Sequence, residues 1–330
     1  MFLDPKKPAV ILAPMEGVTD APLRGFLTRS GYYDYCVSEF IRVSENVLSH
    51  RVFKRHVPET NRPNCMTASM VPVQVQLLGG NPERLALSAL SAIEAGAIGI
   101  DLNFGCPAPT VNRHDGGATL LLYPERIEKI VRAVRDAVPA AYPVSAKLRL
   151  GFDDPSAIHE NAKRAEQGGA SWITIHGRTK TQGYTPPAYW APIGEVRKHL
   201  SIPVVANGEI WTLQDFKRCR EETGAIHFMI GRAALSFPNL AHEIRTELKI
   251  SRRETPSPLT FPETLDARAW KEIFEQYSLE QPSEKRVKQW ARYLQMKRKL
   301  PWWDVVKSSG SVAEILNRLT QFQEPLLSDG

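Results

Sequence analysis

Short apolar runs alternate with amphipathic, helix-like segments over about the first 240 residues, and this alternation constrains the fold more than any other feature. Several runs are continuously apolar, as is typical of strands buried on both faces of a parallel sheet. The eight runs are AVILAPM (9–15), YYDYCVSEF (32–40), PVQVQLLG (72–79), IGIDLNFGC (98–106), YPVSAKLRLG (142–151), SWITIHGR (171–178), IPVVANGE (202–209) and IHFMIGR (226–232). The clearest helical segments between them are 81–96, 123–138, 156–169 and 212–224.

Eight strands, most of them followed by a helix, match an α/β fold of the (β/α)8 TIM-barrel type in number and in length. A doubly wound open sheet is the alternative that the same alternation permits. That alternative is disfavoured because no G-x-G-x-x-G motif follows the first strand. We therefore predict a barrel.

The pattern changes after the eighth strand. Residues 251–264, SRRETPSPLTFPET, are rich in proline and polar residues and indicate a linker. Beyond them the chain lacks strand-like alternation and predicts a small all-helical domain. The predicted organisation is a catalytic barrel at 1–245, a linker at 246–264 and a helical domain at 265–330.

The positive charge of the chain is concentrated in one segment. The whole chain has a net charge of +6, whereas residues 285–307 contain eight basic side chains and one acid, so that the remainder is close to neutral. A local surplus of this kind suits a phosphate-binding face. The alternative is a solvated helix that happens to be basic, and charge alone does not separate the two.

The cysteine pattern excludes several classes of protein. Cys36, Cys65, Cys106 and Cys219 are widely spaced and form no C-x-x-C pair, which argues against a disulfide framework, a zinc knuckle and an iron–sulfur cluster. The first apolar run is too short for a signal peptide or a membrane span. We expect a reduced, cytoplasmic protein without a metal or a membrane partner, and a monomer.

Polar residues stand at the carboxyl ends of the predicted strands, where a barrel carries its chemistry. A single one of them could be a satisfied core polar group. Their convergence on one rim is harder to explain structurally. They are Met15-Glu16, Gln76, Asn103 with Cys106, Lys147 and Arg149, His176 and Arg178, Asn207-Gly208-Glu209, and Gly231-Arg232.

The ends of the seventh and eighth strands indicate a phosphate site. Gly208 and Gly231 allow backbone N–H groups to approach an anion, and barrels often hold phosphate at this place. A phosphate-bearing cofactor would then extend toward the barrel axis, over Lys147 and His176, where cations would stabilise an anionic reduced flavin. Gln76, which has both a donor and an acceptor, suits the edge of a pyrimidine-like ring.

In its motifs the chain resembles the tRNA-dihydrouridine synthases. The resemblance covers roughly residues 8 to 245, and the combination of motifs is specific although each motif alone is weak. The stretch KRVKQWARYL (285–294) is similar to the corresponding stretch in the subgroup of the family that modifies uridine 16 in the D-loop of tRNA. The barrel motifs, in family order, are APMEGVTD (13–20), DLNFGCP (101–107), KLRLG (147–151), HGRT (176–179), ANGEI (206–210) and MIGR (229–232).

The resemblance implies an FMN-dependent reductase of tRNA that uses NADPH, with Cys106 as the catalytic acid. The residues that it implies for FMN are Pro14, Met15, Glu16, Gln76, Lys147, His176, Asn207, Gly208, Glu209, Gly231 and Arg232. The residues that it implies near the target uridine or its strand are Arg42, Asn103, Arg149 and Tyr184. The tRNA contacts that it implies on the helical domain are Arg286, Lys288, Tyr293 and Lys307.

The sequence departs from the family pattern after the catalytic cysteine. The family commonly has a lysine two or three residues later, where this chain has Ala108 and Pro109. The next loop contains Arg113, His114 and Asp115, where small residues are usual. We therefore expect the lysine contact to the RNA to be missing, with Arg113 or His114 as the candidate replacement. The activity itself is not put in doubt, because Cys106 is intact.

The chemistry assigned to Cys106 is proton donation. Reduction of uracil needs a hydride at C6, from N5 of reduced FMN, and a proton at C5. A thiol with an ordinary pKa near ~8.5 is mostly protonated at neutral pH and can supply that proton. Without the motif, a buried inert cysteine would be the better interpretation, and that interpretation is kept for Cys36, Cys65 and Cys219.

Two other functions stay open at this point. A flavin barrel that reduces or oxidises a small molecule, such as dihydroorotate or an enone, would have no need of the basic helical domain. A non-catalytic RNA-binding protein with a relict barrel would be colourless, whereas both hypotheses that include a bound flavin predict a yellow protein. The presence of Gln76, Cys106, Lys147 and His176 together disfavours the relict.

Overall fold

A computed structural model describes residues 2–112 and 116–323 of the 330-residue chain. All strands of its single sheet pair in parallel. In chain order the strands of the described residues are β1 (Ala9–Leu12), β2 (Tyr35–Val37), β3 (Ile41–Arg42), β4 (Val73–Leu78), β5 (Ile100–Asn103), β6 (Val144–Arg149), β7 (Ile173–His176), β8 (Val204–Asn207) and β9 (His227–Ile230).

The sheet closes into a barrel. Its strands follow the order β2-β1-β9-β8-β7-β6-β5-β4, and a further pairing of β2 with β4 joins the two ends. Closure leaves no free sheet edge, and parallel pairing brings the carboxyl ends of all the strands to one rim. The predicted TIM barrel is confirmed, and the doubly wound open sheet is excluded.

The second barrel strand is interrupted. Both β2 and β3 pair with β4, but three residues separate Val37 from Ile41 whereas two separate their partners Gln74 and Leu77. The extra residue makes a bulge, and the Ser38 hydroxyl accepts the Gln76 N–H at 3.0 Å in place of a backbone carbonyl. The predicted strand at 32–40 is therefore shorter than the apolar pattern indicated.

Helices separate the strands and cover the outside of the barrel. The four predicted barrel helices are all present, and α8 shows why: Thr212 and Asp215 form a capping box at its start, and Gly224 ends it with a φ of 59°. The helices of the described residues are α1 (Ala21–Thr28), α2 (His50–His56), α3 (Pro82–Glu94), α4 (Pro109–Asn112), α5 (Pro124–Ala137), α6 (Ile158–Gln167), α7 (Ala191–His199), α8 (Leu213–Thr223), α9 (Ala233–Ser236), α10 (Leu240–Glu247), α11 (Ala267–Ser278), α12 (Glu284–Arg298), α13 (Trp303–Ser308) and α14 (Val312–Gln321).

The barrel interior is divided along its axis. Near the amino ends of the strands, the rings of Phe2, Tyr35 and Trp172 pack edge to face and close the barrel together with Ile11 and Val205. Toward the carboxyl ends the interior becomes polar. An apolar lower half stabilises the barrel by burial, so the upper half can hold polar side chains that serve another purpose.

The C-terminal helices pack onto the barrel through an aromatic cluster. The indole of Trp290 in α12 lies 5.8 Å from the ring of Phe26 in α1 and 5.4 Å from the ring of Tyr277 in α11. It also lies 6.0 Å from Trp270 and 5.7 Å from Phe274. These residues are buried, and they belong to the same apolar core as the barrel helices.

The segment at 246–264 follows the surface of the barrel and makes specific contacts with it. Arg252 donates to the Ser30 carbonyl at 2.8 Å, and the Leu259 N–H donates to the Arg29 carbonyl at 3.2 Å. Leu259 and Phe261 are buried. These contacts join the segment to the residues that follow α1. The predicted domain boundaries at 245 and 265 therefore remain predictions.

No helix within residues 2–112 and 116–323 is both long enough and apolar enough to cross a membrane.

The aromatic cluster predicts the effect of a substitution. Replacing Trp290 by alanine should lower the free energy of unfolding by about 3–5 kcal/mol, because it leaves a cavity between the barrel and the bundle. Denaturant unfolding of the purified protein measures this change. Lys285→Ala, an exposed change on the same helix, should alter the stability by less than about 0.5 kcal/mol. Equal effects of the two substitutions would contradict the role assigned to Trp290.

Candidate active site

A cavity of about 440 Å³ opens at the carboxyl ends of the barrel strands. A volume of this size suits a ligand larger than a single nucleobase. The predicted residues that line it are Pro14, Met15, Glu16, Gln76, Asn103, Cys106, Lys147, Arg149, His176, Tyr184, Asn207, Gly208, Glu209, Gly231, Arg232 and Tyr293. The structure therefore brings all eleven residues predicted for the cofactor to one place.

Cys106 lies in the wall of this cavity, in the loop that follows β5. The Asn103 side-chain oxygen accepts the N–H groups of Gly105 and Cys106 at 2.9 and 3.0 Å, which ties the loop to the end of the strand. Asn112 donates to the Cys106 carbonyl at 3.1 Å. The loop is thus held on both sides of the sulfur.

The electrostatic environment keeps the Cys106 sulfur protonated. Burial raises the pKa of the thiol, and the nearby Glu16 carboxylate raises it further, against the opposing effects of the Ala108 N–H and Arg149. Cys106 is half-buried, whereas the other cysteines are fully buried. A protonated, accessible thiol can donate a proton.

Lys147 of β6 is one of the residues that line the cavity. Its ammonium donates to the Asn207 side-chain oxygen at 3.1 Å, and the Asn207 amide donates in turn to the Met229 carbonyl at 2.8 Å. Burial and the neighbouring Arg149 lower the pKa of Lys147 to about 8, although Asp101 opposes them. The lysine is therefore charged at neutral pH and close to its titration range.

His176 differs from the expectation that it is a second cation. Burial, together with Arg149 and Lys147, lowers the pKa of its imidazole well below the usual value. The imidazole is therefore neutral at physiological pH. Its Nδ1 atom is buried without a hydrogen-bond partner in the described part of the chain.

The Glu209 carboxylate serves to hold two arginines. Its Oε1 lies 2.9 Å from Arg178 and 2.8 Å from Arg232. Burial disfavours its ionisation, but the Arg178 hydrogen bond and both positive charges outweigh that effect and lower the pKa of Glu209. Any contact of this residue with an anion must then involve its backbone, which agrees with the main-chain phosphate site predicted at the ends of these strands.

Glycine is required at the end of β8. Gly208 has a φ of +111°, and an added Cβ would lie 3.2 Å from the His176 imidazole. The same backbone is fixed from outside by Trp190, whose indole N–H donates to the Gly208 carbonyl at 2.8 Å. A side chain here would strain the backbone and crowd the cavity.

Arg149 and Tyr184 close one side of the cavity. The Arg149 guanidinium donates to the carbonyls of Gly105, Thr179 and Gly183 at 2.8 to 3.0 Å, so it joins the cysteine loop to the loop after β7. Its charge lies 5.3 Å from the Tyr184 ring, and Arg232 lies 4.9 Å from the same ring. Arg149 therefore links two loops of the site, in addition to the predicted contact with substrate.

Several residues of the cavity wall were not predicted. Trp211 carries Arg232 and Lys297 against its ring, at 5.0 and 4.6 Å. Phe40 and Met296 also line the cavity. Trp211 follows the ANGEI motif directly and could have been found there, whereas Met296 lies on α12, far away in the sequence.

A second cavity of about 740 Å³ adjoins the first and shares Glu16, Phe40, Cys106, Pro107 and Tyr184 with it. Arg42, predicted to contact the RNA strand, lines this second cavity rather than the first, as do Ala108 and Pro109. Arg113, His114 and Asp115 lie outside the described residues, so their predicted role is not tested.

Two carboxyl groups meet at the boundary between the cavities. Glu16 and Glu39 both line the second cavity. Burial and the proximity of Glu39 raise the pKa of Glu16 to about 7, although Arg286 opposes them. Glu16 therefore ionises near neutral pH, close to Cys106.

In the basic segment at 285–307, some side chains form ion pairs or hydrogen bonds within the protein and others are exposed. Arg286 forms an ion pair with Asp20 at 2.9 Å and donates to the Gly17 carbonyl, and Lys288 pairs with Glu284. Tyr293 lines the cavity, whereas Lys307 is exposed and does not. Other exposed basic residues of the segment are Lys285, Arg292, Lys297 and Lys299. Arg286 thus fastens α12 to the barrel, in addition to the predicted RNA contact.

Within residues 2–112 and 116–323, no group of three or more histidine, cysteine, aspartate and glutamate side chains is arranged to hold a metal ion.

Comparison with known proteins gives consistent results. The family model described as "Dihydrouridine synthase (Dus)" matches residues 11–326. A protein of Shewanella oneidensis named tRNA-dihydrouridine(16) synthase is 48% identical over 86% of this chain and 88% of its own length. Proteins of the same name from Haemophilus influenzae and Neisseria meningitidis serogroup B are 46% and 40% identical. The Haemophilus match covers 86% of this chain and 90% of that protein, and the Neisseria match 98% and 97%.

The environment of Cys106 predicts its reactivity. Iodoacetamide should modify Cys106 before the other three cysteines, and the rate should still rise at pH values above about 8.5, because the thiol pKa lies above its ordinary value. Glu16→Gln should shift this pH profile to lower pH, since it removes a negative charge beside the sulfur. Peptide mass spectrometry gives the rate at each cysteine.

The control is Glu45→Gln, which removes an exposed carboxylate that does not line either cavity. It should leave the profile unchanged. A profile that is the same in all three proteins would contradict the coupling of Glu16 to Cys106.

Proposed function

The chain belongs to the dihydrouridine synthase family, and from this premise we propose that it reduces a D-loop uridine of tRNA to 5,6-dihydrouridine. The relatives cited above support position 16 as the target, because each carries that number in its name. The chain covers about nine-tenths of their lengths or more, so the likeness extends over barrel and helical domain together.

One observation carries this proposal. The protonated thiol of Cys106 lies in the wall of the same cavity as the cationic, glycine-containing ends of β8 and β9. A proton donor on one side and an anion site on the other is the arrangement that reduction of a polarised C=C bond by a phosphate-bearing cofactor requires.

The residues of the cavity fit flavin mononucleotide. His176 offers a buried, unpartnered Nδ1, and Gln76 has unused capacity on its amide for a ring edge. Arg232 supplies charge beside Gly231 for a phosphate. The remaining residues proposed to hold the cofactor are Pro14, Met15, Glu16, Lys147, Asn207, Gly208 and the backbone of Glu209.

Each polar group has a defined part in the proposed reaction. When bound, reduced FMN supplies the hydride for C6 of the uracil, and NADPH is the proposed source of its electrons. Cys106 gives its proton to C5, and the Asn103 side chain holds the loop that carries the sulfur. Lys147 places a positive charge on the cavity floor, where negative charge develops.

The exposed basic side chains of α12 are the proposed tRNA surface. Lys285 and Arg292 are two turns apart on the face of α12 that also carries Met296, and Met296 lines the cavity. Positive charge in this position can hold the RNA backbone beside the cavity mouth. Such contacts can offset the few kcal/mol that extrusion of a stacked base costs.

The chemical role of Cys106 is tested by substitution. Cys106→Ala should reduce single-turnover formation of dihydrouridine by about 10²-fold or more, since it removes the general acid. Bound flavin absorbance near ~450 nm should be retained. Cys219→Ala, a change at a buried cysteine of α8, should react at the native rate. Near-native turnover by Cys106→Ala with flavin still bound would contradict the assignment.

The tRNA surface is tested by charge reversal. Lys285→Glu with Arg292→Glu should raise the Kd for tRNA about tenfold at moderate salt and reduce the slope of log K against log salt by about 1–2, because phosphate contacts are lost. Lys129→Glu with Lys163→Glu changes the net charge equally on the exposed faces of α5 and α6. This control should bind tRNA normally. Equal effects in the two proteins would mean that only the overall charge matters.

The position of the product is tested in cells. Mapping of dihydrouridine along the D-loop in a strain lacking the gene should show its loss at one position, restored by the native gene but not by Cys106→Ala. Dihydrouridine that persists at every position would favour a flavin barrel that acts on a small molecule.

A further inference from the structure

A carboxylate that the reaction does not use lies at the centre of the barrel, below the cavity. Asp101 in β5 is 2% exposed and does not line either cavity. Burial raises the pKa of its carboxyl, against hydrogen bonds from Ser145 and Gln76 and the charge of Lys147. An acid in this position costs free energy unless its hydrogen bonds serve a purpose.

Its hydrogen bonds form a chain that ends at Cys106. The Gln76 amide nitrogen donates to Asp101 Oδ2 at 2.7 Å, and the Gln76 oxygen accepts from the Asn103 amide nitrogen at 2.9 Å. The Asn103 oxygen accepts the N–H groups of Gly105 and Cys106. Three side chains thus connect the barrel axis with the loop that carries the sulfur.

The direction of every bond in the chain is fixed by its two ends. Backbone N–H groups can only donate, so Asn103 must present its oxygen to Gly105 and Cys106. Its amide nitrogen then faces Gln76, which must offer its oxygen and turn its own nitrogen toward Asp101. Only an acceptor at position 101 is compatible with this order. Without an acceptor at this position, the amides of Gln76 and Asn103 could rotate, and Asn103 would no longer accept the N–H groups of the Cys106 loop.

The other side of the carboxylate is also occupied by donors. The Ser145 hydroxyl donates to Asp101 Oδ1, and the Gln74 amide nitrogen donates to the Ser145 oxygen at 2.9 Å. Donors therefore converge on Asp101 from two directions. A carboxylate, with two acceptor oxygens and no proton, is the side chain that satisfies both.

We propose that Asp101 is a positioning residue, which orients the amides of Gln76 and Asn103 and thereby holds the Cys106 loop in place. This proposal rests on the role of Cys106 proposed above for its effect on the reaction, but the effect on the loop is independent of it. The same orientation sets which atoms Gln76 and Asn103 present to a ligand in the cavity. Asp101 acts through these side chains and does not touch the reacting atoms.

The first test uses the thiol itself and needs neither cofactor nor tRNA. Asp101→Leu removes the acceptor and keeps the branched side chain of four heavy atoms. The freed loop should expose Cys106, so that its alkylation at neutral pH becomes about tenfold faster and the midpoint of its pH profile moves down toward that of an ordinary thiol. In Asp101→Asn the amide can turn its oxygen to Gln76 while the Ser145 hydroxyl rotates to accept, so alkylation should stay close to native.

Two controls separate positioning from general stability and from charge. Glu59→Gln disturbs a buried pair with Arg24 that does not line either cavity, and it should lower the melting temperature without changing Cys106 alkylation. Ser145→Ala removes a donor to Asp101 but keeps the link to Gln76, and it should also leave Cys106 unchanged. If Asp101→Asn behaves like Asp101→Leu, the charge beside Lys147 is responsible and the proposal is wrong.

The second test measures the reaction. Asp101→Leu should lower the single-turnover rate of dihydrouridine formation at least about tenfold, because the acid is misplaced, while the Kd for tRNA stays native. Native alkylation in Asp101→Leu would overturn the proposal whatever the activity. If that variant does not fold, Gln76→Met cuts the chain one link later and should produce the same faster alkylation; native alkylation in it would overturn the proposal equally. Altered alkylation in proteins that never form dihydrouridine would leave the positioning role in place and contradict the proposed function instead.

Discussion

Because β2 pairs with β1 on one side and with β4 on the other, the parallel sheet has no free edge and every strand delivers its carboxyl end to the same rim. The positions of the polar side chains follow from this closure. Residues separated by more than two hundred positions in the sequence, such as Met15 and Arg232, line one cavity for this reason. The apolar plug of Phe2, Tyr35 and Trp172 supports the arrangement from below. A polar upper interior is tolerable because the lower half supplies much of the apolar burial.

Positively charged side chains dominate the rim, and two acidic residues reduce the free energy that their burial costs. Glu209 pairs with both Arg178 and Arg232 and offsets part of their positive charge, and Asp101 raises the pKa of Lys147 against the effect of burial. His176, surrounded by these cations, stays neutral. The result is a site that suits an anionic ligand without an excess of buried charge. The thiol of Cys106 lies beside this site and stays protonated, since burial and Glu16 both raise its pKa.

The helical domain contributes to the cavity as well as to the proposed RNA surface. Tyr293 and Met296 of α12 form part of the wall, and Lys297 packs on Trp211. Arg286 ties the start of this helix to Asp20 and Gly17. In the proposed function, an RNA held by α12 would be positioned relative to Cys106 by rigid packing rather than by a flexible linker. The aromatic cluster around Trp290 supplies that rigidity.

The sequence by itself determined the barrel, the family and the set of rim residues, because strand periodicity and short motifs involve residues that are close together in the sequence. It could not determine what each polar group does, since that depends on partners brought together by folding. Arg149 joins two loops, Glu209 binds two arginines and Asp101 orients a chain of amides, and each of these partnerships links separate strands or loops. The neutral state of His176 and the bulge after β2 likewise depend on neighbours in space. Burial and hydrogen-bond geometry, which only the tertiary structure fixes, decided them.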